Sequence, residues 1–119
     1  MYILTVEAFA DFDIPYEVYV GALKDKVRAD CLKEKLNEWV NNQSNVNQDI
    51  RLSKILEDES LKYEFCDIFR FALVTAIPQE YIDIFVNICL KAIEHNYVYL
   101  NKDIFDVEEI KVFSYSGVE

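Results

Sequence analysis

The hydrophobic pattern of this chain changes period twice, and that change limits the folds open to it. At the start, Leu4, Val6 and Ala8 alternate with Ile3, Thr5 and Glu7, the two-residue period of a strand. The DFDIP segment turns the chain, and Pro15 leads into a second strand over Tyr16 to Ala22. From Asp25, a suitable N-cap, the period becomes helical. Val27, Cys31, Leu32, Leu36, Trp39 and Val40 form one stripe, with Lys26, Asp30, Lys33, Glu34, Asn37 and Glu38 facing outward. The polar run NNQSNVNQ ends that helix. Ile50 to Glu57 suits a short helix, Ser60 a cap for one reaching about Ala76, and Pro78 the start of another reaching about His95. These last two are apolar around most of their circumference and must be covered on several sides. They form a hairpin at the heart of the fold, with Phe69, Leu73, Phe85 and Cys89 in contact, or one completed by a second subunit. Alternation then returns, briefly in YVYL and again over 107–114.

Strands at both ends with helices between them predict an α+β fold rather than alternating α/β. The expected architecture is an antiparallel sheet of three to four strands built from both chain ends, covered by a central group of three to four helices. A mass of 14.0 kDa fits a single domain over residues 1–119. With two Gly and two Pro, no flexible linker, phosphate-binding loop or dinucleotide fingerprint can be written. Asp67, Arg70 and Asp83 interrupt the apolar runs, which fall short of the roughly 20 residues that span a bilayer. MYILTVEAF has no leading basic residue and reads as a strand, not a signal peptide.

No chemical signature stands out. Cys31, Cys66 and Cys89 are widely spaced among apolar neighbours, which suits small buried hydrophobes in a reducing cytoplasm better than disulfides or metal ligands. His95, the single histidine, has no identifiable triad partner and suits a solvent-exposed site near a helix C-terminus. Asp11 and Asp13 would point to one side of an extended segment. They could hold a magnesium ion or act as acid and base, and equally they suit a solvated turn beside Pro15. Glu57, Asp58 and Glu59, with Glu64 and Asp67 beyond, have an ordinary place at a helix start. The sequence therefore predicts neither an enzyme nor a cofactor.

Charge is more informative. Asp and Glu number 22 against 12 Lys and Arg, a formal net charge of -10, while 52% of positions are hydrophobic and 14% aromatic. Such a chain folds rather than remaining an acidic tail. It repels nucleic acid and anionic membrane, and it attracts basic surfaces. The charge is also uneven. Lys24, Lys26, Arg28, Lys33 and Lys35 cluster in and before the first helix, while Glu7, Asp11, Asp13 and Glu17 precede any basic residue. Asp103, Asp106, Glu108 and Glu109 lie close together near the C-terminus. A merely acidic soluble protein would share the net charge, which by itself speaks to solubility and association.

The class that best fits is a small acidic inhibitor of a basic, nucleic-acid-handling protein such as a nuclease, toxin, or CRISPR or restriction effector. Toxin-immunity proteins and phage anti-restriction or anti-CRISPR proteins share this profile, some by mimicry of DNA, and the analogy is one of class. Asp11, Asp13, Glu17, Asp103, Asp106, Glu108 and Glu109 would supply carboxylates. Tyr16 and Tyr19, with Tyr2 and Tyr115, would supply aromatic anchors. The alternative is a non-catalytic homodimeric structural or adaptor protein that uses the apolar helical hairpin as its interface.

Overall fold

The computed structural model describes residues 1–10, 14–43 and 50–111. Its sheet is built around β1 (Tyr2–Ala10), which pairs antiparallel with β2 (Ile14–Leu23) on one side and β3 (Phe105–Glu109) on the other. Leu4, Val6 and Ala8 are fully buried on the inner face of β1, as the alternation requires. Among the described residues four helices complete the α+β fold: α1 (Lys26–Gln43), α2 (Leu52–Ile55), α3 (Glu59–Leu73) and α4 (Gln79–His95). Helix α1 packs beneath β1 and β3, α4 packs beneath β2, and α3 lies against α1 and α4. Burial of this apolar layer is the main driving force for the fold.

The β1–β2 pairing contains one irregularity. Leu4 pairs with Gly21 and Thr5 with Tyr19, so Val20 has no partner of its own. This bulge re-aims β2. Val20 turns into the core and is buried, and Gly21 sits over the Phe85 ring. A Cβ built on Gly21 would meet Phe85 at 2.7 Å, closer than carbon atoms approach without one of them moving. The missing side chain therefore lets α4 lie close under the sheet.

The core is aromatic at its centre. Phe65 contacts Trp39, Phe69 and Phe105, and Phe69 contacts Phe85 at 5.8 Å between ring centroids. Phe69, Leu73, Phe85 and Cys89 are all buried, as the apolar periodicity requires, and Phe69 and Phe85 meet between α3 and α4. Asp25 caps α1 by accepting hydrogen bonds from the Val27 and Arg28 backbone N–H groups.

The structure corrects the expected pattern at several points. Val27 keeps the spacing of the α1 stripe but is 75% exposed. Asn37, expected outside, is buried. Its amide donates to the Phe105 carbonyl and accepts from the Phe105 N–H, both at 2.9 Å. It thus docks α1 onto β3 by imitating a strand neighbour, which satisfies both buried groups. The cap of α3 is Asp58 rather than Ser60, whose own N–H donates to the Asp58 carboxylate. Helix α3 stops at Leu73, and Thr75 follows with a left-handed φ of 66°. Strand β3 spans 105–109, two residues earlier than expected, and positions 112–114 lie outside the described residues. YVYL forms an isolated bridge, Tyr99 to Arg51, instead of a sheet strand.

Candidate functional site

The outer face of the sheet, opposite the helices, carries an acidic surface. Register determines its membership. Glu7 lies opposite Glu17, Thr5 lies between Tyr19 and Asp106, and Ile3 lies between Ala22 and Glu108. Strands sit about 4.8 Å apart and same-face residues about 6.8 Å apart along a strand, so these carboxylates surround Thr5 and Tyr19. None of the three strands contains Lys, Arg or His. The separations are comparable to the screening length of about 8 Å at physiological salt, so the fields of these carboxylates overlap into one charged surface.

Thr5 anchors the middle of this face. It is buried although it points away from the helices, and its hydroxyl donates to the Asp106 carbonyl at 3.4 Å. Tyr19 is 58% exposed. The Glu108 carboxylate beside it, with Glu17 adding to the effect, raises its phenol above the usual value. Repulsion between a phenolate and these carboxylates favours the neutral phenol. The site thus combines exposed negative charge with a proton-bearing aromatic ring, suited to cationic side chains and to stacking by guanidinium.

Glu17, Tyr19, Asp106 and Glu108, four of the residues singled out from the sequence, therefore share one face. Other candidates lie elsewhere. Tyr16 follows the opposite alternation, and its hydroxyl donates to the Asn96 side chain at 2.7 Å, tying β2 to the end of α4. Glu109 pairs with Tyr2 on the helix side of the sheet, and Tyr2 packs against the core. Asp103 sits in the turn before β3 with φ of 57°. It lines, with Lys33, Glu34, Asn37 and Asp106, an open cleft of about 580 Å³ between α1 and β3. Asp11, Asp13 and Tyr115 lie outside the described residues. Glu7 was not among the candidates, although its outward place in the β1 alternation was the signal for it.

The other chemistry-bearing residues are unremarkable in placement. His95 is exposed at the end of α4. Cys66 and Cys89 are buried, Cys31 is half-buried, and all three are free thiols. Burial raises the Cys66 and Cys89 thiols, Cys89 the more strongly. Among the described residues no cluster of His, Cys, Asp and Glu could hold a metal ion. No helix among them is long and apolar enough to cross a membrane. Comparison with protein-family models, curated proteins and solved structures finds no match to this chain.

Proposed function

We propose that this chain is a small acidic inhibitor that binds a basic, nucleic-acid-handling protein and occupies the surface that would otherwise hold phosphates. The observation that carries this reading is the outer face of the sheet, whose strands contain no Lys, Arg or His and where Glu7, Glu17, Asp106 and Glu108 gather around Tyr19. Carboxylates held on a sheet pair with Lys and Arg without first being ordered, which favours fast, salt-dependent association. Toxin-immunity, anti-restriction and anti-CRISPR proteins act in this general way, and the reading includes mimicry of DNA. The mode of action is binding rather than catalysis, it uses no cofactor, and a reducing cytoplasm suits the free cysteines.

The test begins with capture of partners from a host lysate, followed by kinetics on the captured protein. Glu17→Lys, Asp106→Lys and Glu108→Lys should each slow association, by up to about tenfold at low salt. Tyr19→Ala should act mainly on dissociation. Retardation of DNA or RNA by the isolated protein at physiological salt would overturn the reading. So would a partner that is acidic, or binding indifferent to salt and to all three reversals.

A second reading, a homodimeric adaptor, draws on the exposed apolar stripe Tyr81, Ile84 and Ile88 on α4. It requires a melting temperature that rises with protein concentration.

A further inference from the structure

The acidic face and the α4 stripe meet at one edge of the sheet. Among the described residues β2 pairs only with β1, so its other edge offers unpaired backbone donors and acceptors. Helix α4 runs directly beneath that strand, since Asn96 bonds the Tyr16 hydroxyl and Phe85 lies under Gly21. Positions 81, 84 and 88 follow one another at helical spacing and form a stripe bordering the face that carries Phe85 and Asn96. Tyr81 is 56%, Ile84 52% and Ile88 45% exposed. Ile82, Val86, Cys89 and Ile93, on the other side of Phe85, are buried, so the stripe lies on the side of α4 turned away from the core, an apolar floor just outside β2. Glu17 and Tyr19 project above the same edge, on the outer face.

We propose that the partner docks by adding an extended segment, alternately basic and apolar, to the free edge of β2. Strand addition takes its affinity from main-chain hydrogen bonds and its specificity from alternate side chains. Apolar side chains would fall on Tyr81, Ile84 and Ile88. Basic ones would fall on the outer face beside Glu17, with Glu7 one strand further in. Charge selects this occupant over a second copy of the chain. The three strands carry five carboxylates, Glu7, Glu17, Asp106, Glu108 and Glu109, and no cation. A second β2 would bring another Glu17 and no cation to this edge, on a chain of formal net charge -10. The inference rests on the basic-partner reading and specifies the partner's recognition element.

The probe is a synthetic peptide alternating lysine and valine over the ten residues of β2, compared with an isomer that gathers its lysines and valines into two blocks. The alternating peptide should bind, with the isomer about tenfold weaker or worse. Ile84→Lys and Ile88→Lys alter exposed positions, and unchanged thermal midpoints would verify their folding. Each should weaken the alternating peptide about tenfold, the scale of losing an interface anchor. Methylation of alternate peptide nitrogens on the edge-facing side should abolish binding, since it removes the ladder donors. Equal binding of the two isomers, or indifference to both α4 substitutions, overturns edge docking. If a captured basic partner is still weakened by Asp106→Lys and Glu108→Lys under that result, the inhibitor reading survives without it. Sedimentation as a dimer that Ile88→Lys converts to monomer also overturns the proposal, in favour of a second copy on this edge.

Discussion

The Phe85 ring occupies the space that a side chain on Gly21 would need. Its nearest atoms lie 2.7 and 2.8 Å from the position of a Cβ there. Gly21→Ala should therefore cost about 1–3 kcal/mol, the range for overpacking a close-fitted site. Phe85→Ala should cost about 3–5 kcal/mol as a cavity-forming change. Because the two share one space, the effects should be strongly non-additive, with Gly21→Ala nearly harmless once Phe85 is Leu or Ala. Urea midpoints of the single and double variants test this. Simple additivity would show that the ring moves aside freely.

Asn37 should prove more important than an ordinary polar helix residue. Removing its amide leaves the buried Phe105 N–H and carbonyl without these partners. Asn37→Ala should cost about 1–3 kcal/mol for each group that water does not reach. Asn37→Asp retains an acceptor for the N–H but presents an oxygen to the carbonyl, and should also destabilise. Hydrogen exchange at the Phe105 amide provides the direct measurement, with faster exchange expected in both variants.

Tyr19 gives the outer face a signature in alkaline solution. Glu108 raises its phenol above the usual 10.0, so the folded state holds this proton more tightly than the unfolded chain does. The resulting stabilisation is complete below the unfolded phenol range and disappears as pH rises through the folded Tyr19 value. Ultraviolet titration of the protein and of Tyr19→Phe should show that the missing phenol is a late-titrating one. Glu108→Gln should shift that phenol downward. An early-titrating Tyr19 would contradict the proximity of the two side chains.

Thiol labelling should follow burial. Cys31 is half-buried, whereas Cys66 and Cys89 are buried and their thiols are raised by desolvation. Only thiolate reacts, so Cys31 should label first in the native protein and Cys89 only upon opening. Mass spectrometry at increasing denaturant gives the order, and rapid native labelling of Cys89 would be inconsistent with its packing.

Periodicity in the sequence was sufficient to identify both strands near the start, the three long helices and the aromatic hairpin around Phe69 and Phe85. It was insufficient where a neighbour remote in sequence decides the outcome. Asn37 looks like any outward helix position because its partner, Phe105, lies 68 residues away. Val27 has the spacing of the buried stripe, but spacing carries no information about whether anything covers it. The extra residue at Val20 is visible in sequence only as a glycine after it, and Gly21 has meaning only with Phe85 beneath. For the acidic face, alternation separates Tyr16 from Glu17 and Tyr19. Nothing local shows that Asp106 and Glu108 arrive on the same side, because that depends on how β3 registers against β1.

The placement of β1 at the centre of the sheet also governs how the chain must assemble. Its pairing with β2 is local and can form soon after both segments exist, whereas Thr5 and Asp106, which meet across β1 and β3, are 101 positions apart. Closing so long a loop carries an entropic cost before any contact offsets it, and contacts of this separation slow the search. A nascent chain would therefore leave one edge of β1 unpaired until β3 emerges. Chaperone dependence during synthesis, and refolding limited by the arrival of β3, are the kinetic consequences of placing the first strand in the middle.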